Sequence, residues 1–176
     1  MRNEEIKKSF FNLYYHSAVK SERETGVPAL VTLSQAALES GWGNHAPGNM
    51  FFGVKAGPSW TGKRQLLKTK EVHVTRGVKY PEVIGVTCRQ DGKFEYVVKD
   101  WFRAYDNAEE SFRDHGFTLK NARWKKGGEL IYAEAFEHID DPVAFVEAMA
   151  KHYATDPTYA KKLKGLITDF SQFVPK

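Results

Sequence analysis

The 176-residue sequence contains a single cysteine, Cys88, so no internal disulfide can form and the fold must rest on a buried apolar core. There is no CxxC pair and no HExxH spacing. The six histidines (His16, His45, His73, His115, His138 and His152) are scattered, so no zinc-ligand pattern arises and no metal is expected. No apolar run approaches the roughly 18 residues a membrane helix needs, so no membrane span is expected. Internal repeats and low-complexity segments are also missing. Residues 1–8 mix both charge signs and lead into no apolar h-region, so a cleavable export signal is not expected. Net charge is only +4, and no recognition motif accompanies it, so nucleic acid is not an expected partner. A monomer is expected.

What is present is the composition of a globular domain: 41% hydrophobic and 27% charged residues. Ile6, Phe10, Leu13, Tyr14 and Ala18 recur at helical spacing after Asn3, a candidate N-cap, and Gly26 marks the stop. Pro28 suits the first turn of a second helix over about 28–40, with Leu30, Leu33, Ala37 and Leu38 on its apolar side. Residues 44–62 are rich in Gly, Asn and Pro but also in aromatics, as in an ordered loop over a site. From 64 to 105 the pattern is strand-like. Residues 71–74 alternate, 83–86 are β-rich, and Asp91-Gly92 signals a hairpin turn before 94–98. Helical spacing returns after Asp106 and Asn107, again over 130–136, after Asp141-Pro142, and after Asp156-Pro157. Helices, a β excursion and more helices predict one α+β domain over 1–176, with a β lobe at about 64–105. Cys88, in a β-rich run, reads as a small buried hydrophobe.

The most informative stretch is Ser34-Gln35-Ala36-Ala37-Leu38-Glu39-Ser40-Gly41-Trp42-Gly43. Glu39 falls in the last turn of a helix otherwise built of small and apolar residues. Burial and the negative end of the helix dipole both disfavour a carboxylate, and a carboxyl that keeps its proton near neutral pH is what a general acid requires. The plain alternative is an exposed Glu at a helix end. Trp42 and Trp60 lie in loop-like sequence and are candidates to stack on a sugar ring; Trp101 and Trp124 read as structural.

Five blocks, in order, resemble the glucosaminidase domains of glycoside hydrolase family 73, the group with the flagellar muramidase-like protein, autolysins and phage lysins. Residues 33–43 resemble its opening motif. Asn49-Met50-Phe51-Phe52-Gly53-Val54-Lys55-Ala56 resembles its N-x-F-G-I-K-A loop. Trp60-Thr61-Gly62 with Thr69-Lys70-Glu71 resembles its W-x-G and T-x-E segments. Phe102-Arg103-Ala104-Tyr105 resembles F-R-x-Y ahead of a helix holding Ser111. Tyr153-Ala154-Thr155-Asp156-Pro157-Thr158-Tyr159-Ala160 resembles Y-A-T-D-P-x-Y-A. The resemblance spans about residues 5–172. It implies a lysozyme-like fold, a mainly helical core with a small β-hairpin lobe flanking the substrate cleft. It also implies hydrolysis of the β-1,4 bond after N-acetylglucosamine in peptidoglycan, without a cofactor.

Carried over residue by residue, the resemblance makes Glu39 the catalytic acid, Glu71 the second carboxylate on the β lobe, and Tyr153 a tyrosine that positions the substrate. The family's T-T-E-Y is Thr69-Lys70-Glu71-Val72 here, and Glu82, Glu95 and Asp100 are the fallback carboxylates. Phe52, Tyr105 and Tyr159 join Trp42 and Trp60 as substrate-binding candidates. Either Glu71 acts as a base in an inverting reaction, or the substrate's own acetamido oxygen attacks with Glu71 or Tyr153 orienting it; both remain open. Segment 61–103 holds ten basic and five acidic residues, which suits attraction to an anionic wall or simply a solvated face. The expected place of action is the bacterial cell wall, periplasmic or extracellular, reached in phage lysis, through a secretion apparatus, or as a domain cut from a larger hydrolase. Competing readings are a muramidase or lytic transglycosylase, or a non-catalytic wall-binding or assembly module.

Overall fold

The computed structural model describes residues 2–175. They form two compact units, a helical one made of the chain up to Phe52 and from Asp106 onward, and a β unit over Gly53–Tyr105.

In the helical unit, α1 runs Arg2–Thr25. Asn3 therefore lies inside the first turn and does not cap it. The chain leaves α1 through Gly26, whose φ of 83° needs a glycine, and its N–H still reaches Glu22 O at 2.8 Å. α2, Ala29–Glu39, follows Pro28 and is the central helix, with Val31 through Ala37 all buried. Its small residues let neighbours approach from two sides. On one side Val27 and Val31 pack with Phe145, Val146, Met149, Leu163 and Ile167. On the other, Leu33, Ala36 and Ala37 pack with Phe10, Phe11, Phe51, Phe112 and Phe170. Each large side chain buried in these clusters contributes about 1.5–3 kcal/mol of transfer free energy.

The later helices start where side-chain oxygens collect their first N–H groups. Asn107 accepts from Glu110 N at 3.0 Å and opens α3, Ala108–Asn121. Asp141 accepts from Val143 N and Ala144 N, both at 3.0 Å, and opens α4, Pro142–Tyr153. Asp156 and Pro157 form a turn, and α5 begins after it, at Tyr159–Ser171. The helix expected over 130–136 is replaced by a short 3-10 helix, Ala135–His138. Leu130 bridges to Arg123 and Ile131 N donates to Ala122 O at 2.9 Å, so these bonds close a loop around Gly127 and Gly128 and leave no α ladder.

The β unit carries β1 (Arg64–His73), β2 (Glu82–Cys88) and β3 (Phe94–Arg103), antiparallel in the order β1-β3-β2. The tight turn before β3 uses Gly92 at φ 77°. β3 is central and buries Tyr96, Val98 and Phe102. β2 is an edge strand, exposed at every residue, so Cys88 is exposed and not the buried hydrophobe its β-rich run suggested. Helices with one small antiparallel sheet realise the α+β plan.

Candidate active site

The end of α2 explains why Glu39 stands where it does. Ser40 follows the helix, Gly41 adopts φ 55°, and Trp42 N reaches back to Ala37 O at 2.8 Å, the closing bond of a Schellman turn. Ser40 Oγ donates to Ala36 O at 2.5 Å and accepts from Gly43 N at 2.8 Å, which locks the turn. Trp42 itself sits at φ 64°, a strained value for a non-glycine residue. Its ring packs edge-on against Phe10 and Phe170, with centroids 5.8 and 6.2 Å away, and this packing holds the strained backbone in place.

Glu39 is the last residue of α2 and is exposed; the buried face of the helix ends at Ala37. Its burial, expected from its apolar neighbours, is thus not observed. The carboxylate opens on a pocket of ≈ 590 Å³ that Tyr153, Asp156, Tyr159 and Lys162 also line. Tyr159 donates its hydroxyl proton to Glu39 Oε1 at 3.0 Å. Tyr159 is buried, and its ring stacks on that of Tyr153 at 5.4 Å and 21°. Burial, then the charge of Glu39, raises the Tyr153 hydroxyl pKa well above its usual value. Burial likewise raises that of Tyr159. Both phenols are therefore neutral donors at any working pH. Asp156 is held below the usual carboxylate range by its hydrogen bond with Lys162 (2.7 Å) and by those from Thr158. Phe52 stacks flat on buried His115, with centroids 3.8 Å apart at 9°.

The β unit presents a separate charged cluster. Glu71 lies on β1 opposite Tyr96 of β3, and Lys55 Nζ contacts Glu71 Oε1 at 2.5 Å and Asp100 Oδ2 at 2.9 Å. The ammonium also lies 5.7 Å from the ring centre of Tyr80 and 5.9 Å from that of Phe102. Burial alone would lower the Lys55 pKa, but the hydrogen bonds and charges of Glu71 and Asp100 outweigh it and hold it above its usual value. Trp60 lies under the Arg103 guanidinium at 4.4 Å, edge-on to buried Tyr105 at 6.0 Å, and donates its indole N–H to Lys63 O at 2.8 Å. Trp101 is covered by Arg64 at 4.2 Å, whereas Trp124, read as structural, is 62% exposed.

Glu39, Tyr153 and Tyr159 are thus brought to one pocket, and Glu71 to a cluster with Lys55 and Asp100. Comparison with known proteins supplies the family. The model of the glucosaminidase family, described as mannosyl-glycoprotein endo-beta-N-acetylglucosaminidase, matches residues 15–172. The chain belongs to this family.

Among curated relatives, the peptidoglycan hydrolase FlgJ of Vibrio parahaemolyticus is 31% identical over 163 residues, covering 88% of this chain and 44% of that protein. The autolysin of Enterococcus faecalis is 31% identical over 148 residues, covering 81% of this chain and 17% of that protein. The chain thus spans less than half the length of these relatives. Among solved structures, the glycoside hydrolase domain of Salmonella typhimurium FlgJ superposes with a TM-score of 0.66 at 26% identity, over 95% of this chain and 89% of that one. The catalytic domain of the Listeria monocytogenes autolysin Auto superposes with a TM-score of 0.71 at 27% identity, over 94% and 85%. The lysozyme-like α+β fold and the glycoside hydrolase class expected from the sequence agree with these findings.

Three residues of this glucosaminidase domain escaped the sequence reading. Lys55 stood inside a quoted motif, but nothing there assigned it a partner. Gln35 was a polar residue in an apolar helix, and His115 fell on the buried side of a helix; both were visible as polar residues at core positions. Only contacts between distant parts of the chain give them partners.

Proposed function

We propose that this domain hydrolyses the β-1,4 glycosidic bond after N-acetylglucosamine in peptidoglycan, with Glu39 as general acid. The observation that carries the reading is the solvent-facing Glu39 carboxyl in a pocket of ≈ 590 Å³, one oxygen held by a buried tyrosine. Glu39 passes its proton to the leaving-group oxygen as the bond to the anomeric carbon breaks and its electron pair departs with that oxygen. Water then completes the hydrolysis at that carbon. Tyr153 orients the sugar or its 2-acetamido group. Glu71 supplies the second carboxylate, either as base for water or as the group that orients the acetamido oxygen. Trp42, Phe52, Trp60 and Tyr105 shape sugar contacts. The two units act as one catalytic domain, and the site of action is the bacterial cell wall, periplasmic or extracellular. The basic excess of 61–103 favours approach to that anionic polymer.

A second reading, cleavage after N-acetylmuramic acid, has one specific support. A Lactococcus lactis protein named probable N-acetylmuramidase is 30% identical over 152 residues, covering 83% of this chain and 29% of that protein. A digest of purified peptidoglycan, reduced with borohydride and read by mass spectrometry, separates the two. New reduced ends on N-acetylglucosamine are expected. Ends on N-acetylmuramic acid would move the cleavage to the other bond, and no fragments would overturn both readings. Glu39→Gln should abolish product formation, Glu71→Gln should reduce it strongly, and Tyr153→Phe less.

A further inference from the structure

We propose that Gln35 and His115 are positioning residues for Glu39, acting through Tyr159 along one oriented chain of hydrogen bonds. The proposal rests on the reading of Glu39 as the general acid. His115 Nε2 lies 3.1 Å from Gln35 Oε1, Gln35 Nε2 donates to Tyr159 Oη at 3.1 Å, and Tyr159 donates to Glu39 Oε1 at 3.0 Å. The links join residues 80, 124 and 120 positions apart, on three helices of the helical unit, with Gln35 and Glu39 on α2, His115 on α3 and Tyr159 on α5.

The direction of the chain turns on which ring nitrogen of His115 holds the proton, and the proposal places it on Nε2. Burial lowers the His115 pKa from 6.5 to about 3, so the imidazole is neutral and carries one proton. Its partner is a carbonyl oxygen, which places that proton on Nε2. With the proton on Nδ1 instead, the Gln35 amide would turn over, donate to Nε2 and accept from Tyr159, and Glu39 would lose its donor. Tyr159 has one proton; with the amide donating to its oxygen, that proton goes to Glu39. Gln35 is fully buried in the middle of α2, where an amide without partners would cost several kcal/mol. The His115 ring stacks on Phe52 and stands perpendicular to Tyr153, whose centroid is 6.0 Å away. With the proton on Nε2 each group has one orientation, and Glu39 inherits it. Oε1 is occupied as an acceptor, so the transferable proton rides on Oε2. Once that proton has left, the same tyrosine donor stabilises the carboxylate.

A kinetic double-mutant cycle with Tyr159→Phe and Gln35→Met tests this on the whole chain, with peptidoglycan as substrate. Each single change should lower kcat about 10- to 100-fold, the range of one hydrogen bond to a charged group, with KM held within about twofold. The double variant should be no slower than Tyr159→Phe alone, because Gln35 acts only through that tyrosine. Unchanged kcat in Gln35→Met, or losses that multiply in the double variant, would overturn the chain. If Gln35→Met fails to fold, His115→Phe keeps the stacking on Phe52, removes the donor and completes the same cycle. Histidine ¹⁵N spectra give a second readout: His115 should be neutral with its proton on Nε2, and a proton on Nδ1 would reverse the chain and overturn the proposal. Glu39→Gln is measured alongside. Retained activity there would remove the general-acid reading itself, whereas an inactive Glu39→Gln with a multiplicative cycle would remove only the relay.

Discussion

Replacing Gly116 by alanine in α3 should destabilise the protein, whereas the same change at Gly165 in α5 should stabilise it. In a helix interior, alanine is favoured over glycine by about 1 kcal/mol through backbone entropy. At Gly165 nothing lies within 4 Å of the place a Cβ would take, so the full gain should appear. At Gly116 that Cβ would fall 2.6 Å from Thr25 Oγ1 and 2.8 Å from its Cβ and Cγ2. Thr25 has no room to yield. It is fully buried at the end of α1, its hydroxyl donates to Ser21 O at 2.8 Å, and it accepts from Val27 N at 3.2 Å. Restoring ordinary contact needs about 1 Å of separation between α1 and α3, an overpacking cost of about 1–3 kcal/mol. Losing the two Thr25 bonds adds about 1 kcal/mol each. Set against the entropic gain, the net loss is about 2–4 kcal/mol. At about 2–4 °C per kcal/mol for a chain of this size, Tm should fall by about 4–16 °C for Gly116→Ala and rise by about 2–4 °C for Gly165→Ala. Reversible thermal and urea unfolding followed by circular dichroism measures both. A Gly116→Ala protein as stable as the unmodified one, beside a stabilised Gly165→Ala, would refute the claim that the Thr25–Gly116 contact sets the approach of the two helices.

Two further outcomes follow from the charged groups. His115 has a folded pKa near 3 against 6.5 when free, so the unfolded chain binds the extra proton; stability from the buried neutral ring is complete above pH 6.5 and is lost as pH falls towards 3. His115→Phe should flatten the decline in unfolding free energy between pH 6.5 and about pH 4, and parallel curves for the two proteins would contradict this. Lys55→Met removes the ammonium that Glu71 and Asp100 share, and the two carboxylates then repel. Stability should fall by only about 1 kcal/mol, since Lys55 is 43% exposed, but activity should fall about 10- to 100-fold as Glu71 loses its position. Lys99→Met, which breaks only the exposed pair with Glu82, is the control and should leave turnover unchanged in the same peptidoglycan digest.

Much of this architecture is local and was legible in the chain itself. Asn107, Asp141 and Pro142 mark helix starts because capping and proline geometry act within three or four residues. Asp91-Gly92 marks its turn for the same reason, and Gly41 after Glu39 marks where α2 must end. That places Glu39 at a helix terminus by sequence alone. Where competing bonds decided the outcome, local patterns failed. The Arg123–Leu130 bridge displaced a helix with sound apolar spacing, and the edge position of β2 left Cys88 in solvent. Nor did small and apolar neighbours bury Glu39, since a helix end can turn outward at its last residue whatever precedes it. The partners of the site residues belong entirely to the tertiary structure. Tyr159 meets Glu39 across 120 residues, His115 meets Gln35 across 80, and Lys55 meets Asp100 across the β unit. A hydrogen bond depends on distance in space and on which donor each acceptor is offered. Sequence order supplies the donors and acceptors, and only the packed fold pairs them.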